Sequence, residues 1–213
     1  MEDAKKVSKR TDAVANRARI LEAAHSVFAE HGLDLEMQEV AAQAGPGLGT
    51  LYGHFASRED LLRAIVQSVI DDTLAQMRAA LVSGADDPRK AFLALASAAL
   101  HVQHQYRPLF AVIRDRRLVK LMDPSYAQRV RMQFLEIPKD LLTQGIQAGA
   151  FPQDLDQDMA SVTIMGAFIN AGNLLGKERS PDELAQQLTQ FLLRLFTGQA
   201  SPEISGDGFP SPT

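Results

Sequence analysis

Apolar residues recur along almost the whole chain at spacings of three and four positions, which is the period of an α-helix. No stretch alternates apolar and polar residues for long, so the pattern predicts an all-α protein. After a polar, basic arm, a first helix carries Ile20, Ala24 and Phe28 on one face and is expected to end at Gly32. A short second helix repeats the pattern from position 37 to position 44.

Tight turns connect the elements of the N-terminal region. Gly45-Pro46-Gly47 interrupts the second helix, and a third short helix follows. Ser57 is expected to cap a long fourth helix. Three short helices with tight turns within about the first 56 residues indicate a helix-turn-helix unit. Its predicted core consists of Ile20, Leu21, Ala24, Phe28, Met37, Val40, Ala41, Leu48, Leu51 and Phe55.

Later helices also have recognisable start and stop signals. Prolines at the first helical position are expected to begin helices at Pro88 and Pro124, and Pro138 is expected to kink or break the second of these. The segment from about position 156 to position 175 is apolar nearly all round, so it needs cover on more than one side. The tail 199–213 is rich in Ser, Pro and Gly and is expected to be disordered.

The third helix has surface positions that suit DNA. A major groove admits one helix, whose N-terminal residues must approach bases and phosphates closely. Glycines permit that approach, hydroxyl groups bind phosphates or base edges, and the free N–H groups at the start of a helix favour phosphate. Once the core positions are removed, the third helix leaves a small, polar and aromatic set without an acid. This set is Gly49, Thr50, Tyr52, Gly53 and His54.

Several blocks of this region share one order and spacing with a known family. The blocks are Arg19-Ile20-Leu21-Glu22-Ala23-Ala24, Phe28-Ala29-Glu30-His31-Gly32, Val40-Ala41-Ala42-Gln43-Ala44-Gly45, Gly49-Thr50-Leu51-Tyr52-Gly53-His54-Phe55 and Ser57-Arg58-Glu59-Asp60-Leu61-Leu62. Together they resemble the tetracycline-repressor (TetR) family over roughly residues 17–66, without a gap. The rest of the chain resembles the family only in length and helical layout.

The resemblance implies a ligand-responsive, DNA-binding transcriptional regulator, a repressor that a small molecule releases from its operator, and not an enzyme. The expected partners are double-stranded operator DNA, a small-molecule effector and a second copy of the chain, with no cofactor. The fold it implies is an N-terminal helix-turn-helix domain and a C-terminal helical bundle with a ligand pocket and a dimer interface. The expected limits are a basic flexible arm 1–16, a DNA-binding domain 17–56, a ligand-binding and dimerisation domain 57–198 and a disordered tail 199–213.

DNA-contacting residues follow from the same resemblance, position by position. Around the third helix they are Gly47, Leu48, Gly49, Thr50, Tyr52, Gly53, His54 and Arg58. Residues 1–21 hold six basic and three acidic side chains, a local net charge of +3. Such an arm either follows the DNA backbone or minor groove or serves as a solubilising tail. The contacts expected from the arm are Lys6, Lys9, Arg10 and Arg17.

Five positions depart from the family pattern, one of them Gly47, where the family often has Ser. Pro46 replaces an apolar residue in the turn, Leu48 replaces a frequent Lys, and Gly53 replaces a frequent Arg or His. Glu36 lies near the start of the second helix, where the family commonly has Thr, Ser or Pro, and a carboxylate there repels DNA. The alternative function is therefore a helical small-molecule-binding protein with weakened or lost DNA binding.

Composition narrows the class of protein further. The 213 residues include 22 Lys and Arg, 26 Asp and Glu and no Cys, for a net charge of −4. The lack of Cys excludes disulfides, thiolate catalysis and thiolate zinc sites. No apolar run is long enough to span a bilayer, and we expect a cytoplasmic protein. Net charge by itself argues against a nucleic-acid partner, so the placement of charges matters more than their sum.

Other candidate sites have simpler interpretations. His101 and His104 have a spacing that can present two imidazoles to a metal, but we expect one to be partly buried and the other exposed, with no metal bound. His25 and His31 look like ordinary first-helix residues. Basic residues between positions 107 and 131 indicate a solvated helix face, or else an anionic ligand or a second DNA contact. We find no catalytic motif.

The C-terminal region offers candidates for a pocket and an interface. A ligand pocket is implied only by the resemblance, and each of its candidates is first of all a core residue. These candidates are Phe92, His101, Tyr106, Phe110, Phe134, Met165 and Phe168. Small residues in the penultimate helix allow close helix approach, and a Leu/Phe stripe marks the last helix, which Ser180 begins with a capping box. The expected dimer contacts are Gly166, Ile169, Leu184, Leu188, Phe191 and Leu195.

Overall fold

A computed structural model describes residues 2–84, 87–112 and 122–198 of the chain. Within these ranges all regular structure is helical, which confirms the predicted fold class. The helices are α1 (Glu2–His31), α2 (Met37–Ala44), α3 (Leu48–His54), α4 (Arg58–Ser83), α5 (Pro88–Gln105), α6 (Arg107–Val112), α7 (Pro124–Gln147), α8 (Gln157–Leu175) and α9 (Pro181–Phe196). A 3₁₀ turn, Gly32–Asp34, follows α1. None of the described helices is long and apolar enough to cross a membrane.

The chain divides into two compact units. The first unit comprises Met1–Gln76 and His101–Gln133, and the second comprises Met77–Leu100 and Phe134–Thr213. Helices α4, α5 and α7 therefore each contribute residues to both units. The domain limit expected between positions 56 and 57 stays a prediction. The tail 199–213 and the basic positions from 114 to 120 lie outside the described residues.

The first unit is built around α1. Its core includes Ile20, Phe28, Val40 and Leu51, together with Leu109 from α6. All five side chains are nearly inaccessible to water. The predicted helix-turn-helix core is therefore confirmed, with Leu21 and Leu48 packed at its edge rather than inside it. Helix α6 packs on both α1 and the 3₁₀ turn, so a segment from the middle of the chain completes the N-terminal core.

Glycine ends two of these elements as predicted. Gly32 follows α1 with φ +59° and Gly45 follows α2 with φ +87°, both in the left-handed region that favours glycine. The Gly45 N–H donates to the Ala41 carbonyl at 3.2 Å, which closes the last turn of α2. Gly47 is the N-cap of α3 and has no side chain to bond the exposed N–H groups.

The N-terminal segment differs from its prediction. Helix α1 begins at Glu2, so residues 2–16 form its first half rather than a flexible arm. The reason is local, because positions 2–31 contain no Gly or Pro and are rich in Ala, Lys, Arg and Glu, which favour the helix. Lys6, Lys9, Arg10 and Arg17 therefore lie on one continuous helix.

Side-chain caps begin α4 and α5 where the sequence predicts them. The Ser57 hydroxyl accepts a hydrogen bond from the Asp60 N–H at 3.1 Å, and Asp87 accepts from the Arg89 N–H at 2.9 Å. Helix α4 buries the stripe of Leu62, Ile65, Val66, Val69 and Met77. Its start, which orients the end of the helix-turn-helix unit, is thus fixed by local chemistry.

The second unit has an aromatic centre and well-capped helices. Phe92 is fully buried, and its ring centre lies 6.4 Å from that of Phe168, in an edge-on arrangement, and 6.4 Å from that of Phe196, whose ring is tilted by 51°. Asp156 caps α8 by accepting from two backbone N–H groups, and Ser180 forms the predicted capping box at α9. Each cap satisfies N–H groups that have no partner inside the helix.

Helix α7 continues through its proline. Of the kink or break expected at Pro138, the break does not occur, because the helix extends from Pro124 to Gln147 with Pro138 buried inside it. The ring removes one N–H donor from the helix, and its burial against neighbouring apolar residues offsets that loss. Gly145 lies against Phe151, where a Cβ atom would stand 2.1 Å from the ring.

Candidate nucleic-acid interface

Helix α3 presents one polar face to solvent and one apolar face to the core. Leu51 is fully buried, whereas Tyr52 is 49% exposed. Gly49, Thr50 and Gly53 are also exposed, and His54 is half-buried. The described surface of α3 thus carries no acid, and small residues flank the Tyr52 ring. A face of this kind can enter a groove without electrostatic repulsion or steric clash.

Arg17 is held beside the end of α3 by an aromatic contact. Its guanidinium carbon lies 5.1 Å from the centre of the Phe55 ring, which is a cation–π distance. Phe55 is itself buried in the core directly after α3. The contact therefore brings a cation of α1 to the C-terminal end of α3, and the Arg17 side chain is still exposed to solvent. The sequence predicts Arg17 as part of the arm and gives no sign of this pairing.

Arg58 has an unusual environment at the start of α4. A terminal nitrogen lies 3.9 Å from the Asp34 carboxylate, at the outer limit of an ion pair. Its Nε–H is buried and finds no acceptor in the described part of the chain. A buried donor without an acceptor is costly, and the partly exposed remainder of the guanidinium is a suitable donor to a phosphate oxygen. The structure keeps Arg58 partly exposed, at the N-terminal end of a helix that favours anions.

Glu36 stands at the N-terminus of α2, where it is exposed. As the N-cap residue it has extended backbone angles, φ −106° and ψ 137°, but its side chain forms no capping bond. Leu48 at the start of α3 is half-buried and packs against the core. Of the predicted contacts, Leu48 therefore offers an apolar edge rather than a polar group.

Two histidines of α1 make specific contacts that the sequence reveals poorly. The His31 ring lies 3.0 Å from the Glu39 carboxylate and thus connects α1 with α2. His25 contacts the Ser68 hydroxyl of α4 at 2.8 Å, and burial lowers the pKa of His25, against the opposing charge of Asp72. The sequence feature that could have predicted the partial burial of His25 is its position three residues before Phe28, which places it on the side of α1 that faces the core.

The predicted exposure of the two histidines of α5 needs one correction. His101 and His104 are both exposed, whereas one was expected to be partly buried. The buried stripe of α5 passes through Leu95, Ala99 and Val102, which turns both imidazoles away from the core.

The predicted ligand-pocket residues do not gather in one unit. His101, Tyr106 and Phe110 belong to the first unit, and the other four belong to the second. Phe92 and Phe168 are core residues in mutual contact. The remaining predicted residues, Phe134 and Met165, are half-buried in the second unit. The position of the effector pocket stays a prediction.

Helices α8 and α9 pack on each other and expose large apolar side chains. Phe191 is 64% exposed and Leu195 51%, and Ile169 is also exposed. Leu184 is 2% exposed and packs inside its own unit, which leaves little of it for a contact with a second copy, and the interface itself stays a prediction. Leu188 and Gly166 are half-buried. The exposed set on these two helices comprises Met159, Val162, Ile169, Leu174, Phe191 and Leu195.

The three N-terminal helices, their tight turns and the acid-free exposed helix together define a helix-turn-helix protein. The family model of bacterial regulatory proteins of the tetR family matches residues 20–65. The HTH-type transcriptional repressor KstR2 of Mycobacterium tuberculosis (strain H37Rv) is 30% identical over 148 residues, 68% of this chain and 74% of that protein. The chain therefore belongs to the TetR family of transcriptional regulators.

Relatives and solved structures agree on the class and the fold. KstR2 of Rhodococcus jostii (strain RHA1) is 29% identical over 68% of this chain and 72% of its own length. The solved structure of the ketosteroid transcriptional regulator KstR2 of M. tuberculosis has a TM-score of 0.66 and 27% identity, covering 85% of this chain and 94% of that one. FadR of Bacillus subtilis, solved in complex with stearoyl-CoA, has a TM-score of 0.65 at 20% identity over 83% of this chain and 97% of its own, and its likeness concerns the fold alone.

Proposed function

We propose that this chain is a homodimeric repressor that binds operator DNA through α3 and leaves it when a small molecule binds. The observation that carries the proposal is the exposed, acid-free face of α3, with Tyr52 in solvent directly beside the buried Leu51. Arg17 and Arg58 flank this face as phosphate contacts. The protein would act in the cytoplasm, where its operator lies, without catalysing a reaction.

The proposed dimer is supported by apolar side chains of α8 and α9 that are exposed in the described part of the chain. Phe191 and Leu195 are one helical turn apart on α9, and both are more than half exposed. Contiguous apolar surface of this kind favours association, and a two-fold axis would pair each patch with its copy. A dimer would place two α3 helices for successive major grooves, about 34–36 Å apart. Phe191→Glu should yield monomers by light scattering, and persistent dimers would contradict this assignment.

The effector is proposed by class. One relative is a ketosteroid transcriptional regulator and a structural neighbour was solved in complex with stearoyl-CoA, so the effector we propose is a small organic molecule with a large apolar part. It would lower operator affinity by preferring a conformation in which the two α3 helices no longer fit the grooves. Helix α4 is the proposed connection, because it begins directly after the helix-turn-helix unit and continues into the second unit.

A gel shift with the DNA that flanks its own gene tests the proposal. Wild-type protein should retard the fragment at low salt, with an affinity that falls steeply as salt rises. Tyr52→Ala should weaken binding while the melting temperature changes little, because about half of the side chain is in solvent. Tyr52→Phe is the matched control for the hydroxyl group alone. If Tyr52→Ala lowered the stability of the fold by as much free energy as it removes from operator binding, Tyr52 would instead be a core residue.

Two observations favour a second function. Glu36 presents a carboxylate at the start of α2, and Gly53 offers no side chain to a phosphate. The chain would then be a helical small-molecule-binding protein that has lost DNA binding. Absence of retardation by dimeric protein at low salt would select this function and overturn the repressor proposal.

A further inference from the structure

The first unit contains a cavity of about 240 Å³ where α1, α4 and the α5–α6 bend meet. Its floor consists of buried apolar side chains, and its mouth is formed by the exposed Ser26, Ala29 and Gln105. The full lining is His25, Ser26, Phe28, Ala29, Ile65, Val69, Gln105, Tyr106, Pro108 and Leu109. None of these residues carries a carboxylate, an ammonium or a guanidinium group.

One wall of the cavity is a hydrogen-bonded set that joins three segments. The Ser68 hydroxyl donates to the Ile65 carbonyl at 2.9 Å, and a hydroxyl has only one proton to give. His25 must therefore donate its Nε2 proton to Ser68, which fixes the neutral tautomer with Nδ1 as an acceptor. The His25 ring meets Tyr106 edge-on at 5.3 Å, and the Tyr106 hydroxyl donates to Asp72 at 3.3 Å.

Asp72 lies behind this wall and is not part of the lining. Gln76 also donates to the carboxylate oxygen that accepts from Tyr106, at 3.1 Å, so two donors bind it. An anionic ligand would find no cation in the lining, would be repelled by Asp72 and would lose its hydration, and a cationic ligand would find no carboxylate in the lining itself. A neutral guest would lose little, and Gln105 at the mouth offers it both a donor and an acceptor.

We propose that this cavity is a binding site for a small, neutral, planar ring compound with one hydrogen-bonding group. The volume of the cavity limits the size of the ligand. A cavity of about 150 Å³ holds benzene, and this one is large enough for roughly nine to ten heavy atoms. The apolar floor would hold the ring, and Gln105 would bind its polar group. This site lies within the first unit, at α1, and Tyr106 is the one residue that it shares with the predicted effector-pocket set.

Occupancy would also affect the DNA-binding surface. Leu109 lines the cavity and is at the same time buried in the helix-turn-helix core. A bound ligand would therefore hold α6 in one position against α1. If the DNA-bound form needs another position of α6, the ligand would bind the two forms with different affinities, and operator affinity would change by that ratio. This consequence rests on the proposed repressor function, whereas the binding site itself does not.

The test uses indole as the probe, with the full chain. Ligand-observed NMR should give saturable binding with a dissociation constant of about 1 mM or tighter. Ala29→Phe fills the mouth and should weaken binding at least tenfold, and Ala29→Leu is the milder second variant. Ala75→Phe is the matched control, because Ala75 is exposed on α4 and does not line the cavity. Indole-3-carboxylate, the same ring with a charge, should bind at least tenfold more weakly.

Each result of these experiments tests one part of the proposal: the site, the ligand class or the coupling to DNA binding. Non-saturable binding, or equal binding by Ala29→Phe and Ala75→Phe, would overturn the site. Equal binding of indole and indole-3-carboxylate would overturn the neutral ligand class. Operator affinity measured with and without saturating indole should differ in wild type and not in Ala29→Phe, and identical values would overturn the coupling. Failure of the ligand-free chain to bind DNA would count against the repressor proposal, while the indole titration would still decide the cavity.

Discussion

Glu36 allows capping and DNA repulsion to be separated at one position. The residue is the N-cap of α2, its backbone has the extended angles that a capping residue needs, and its side chain forms no capping bond. Glu39 lies three positions later, where a capping box has its acidic partner. Glu36→Ser should therefore stabilise the fold by about 1 kcal/mol, which corresponds to about 2–4 °C in melting temperature for a chain of this size.

Removing the carboxylate should also strengthen DNA binding. A carboxylate and a phosphate about 4 Å apart in water repel each other by about 1 kcal/mol, so the gain is at most about fivefold per subunit, and less at greater distance. Salt should shrink it, because the Debye length is about 10 Å at 0.1 M ionic strength. Glu36→Gln removes the charge without providing a cap. We expect both variants to bind operator more tightly in gel shifts at low salt.

The two variants should differ only in stability. Calorimetry should show a raised melting temperature for Glu36→Ser and an unchanged one for Glu36→Gln. An equal rise in both would refute the capping argument and assign the effect to charge. Unchanged operator affinity in both would refute the placement of the α2 N-terminus beside phosphate. Glu178→Gln, an exposed acid of the second unit, controls for the change in net charge.

Three further predictions concern packing and pH. Phe92→Ala removes a fully buried ring from its contact with Phe168 and should cost about 3–5 kcal/mol in urea unfolding, whereas a cost below 1 kcal/mol would contradict the aromatic centre. Gly145→Ala places a Cβ 2.1 Å from the buried Phe151 ring and should lower the free energy of unfolding by about 1–3 kcal/mol, whereas the same substitution should cost less in a Phe151→Ala background. Because burial lowers the pKa of His25, its folded state binds the proton less readily than the unfolded state, so its stabilising contribution is present above about pH 6.5 and is lost as pH falls through the folded pKa. The stability difference between wild type and His25→Gln should therefore shrink from pH 7.5 to pH 5.5, and a constant difference would show that His25 does not titrate in this way.

Local chemistry explains why most of the fold can be predicted from the sequence. A cap at Ser57 or Ser180 involves residues three positions apart, and a helix stop at Gly32 or Gly45 depends on the backbone of one residue. Such signals are contained in a short window of sequence. The apolar stripe of α4 is equally local, since the helical period alone fixes which side chains share a face.

Contacts between distant segments account for what could not be predicted. His25 and Ser68 are 43 positions apart, and nothing near either residue indicates the other. Arg17 and Phe55 are likewise distant in sequence, and nothing near either residue indicates their contact. Leu184 shows a related limit, because the pattern predicts an apolar stripe on α9 but not which part of that stripe faces its own unit. Deciding this requires the positions of the neighbouring helices.

Leu109 has a consequence for building chimeric regulators. The side chain comes from a helix that begins at Arg107, yet it is buried among residues of α1 and α4 in the N-terminal core. A transplant that joins residues 1–66 to another protein's sensor region would leave a hole where Leu109 had been, unless the host supplies a leucine at the matching place. Exchange of recognition specificity between relatives is therefore constrained by a residue that never approaches the DNA. Successful grafts should carry both segments together.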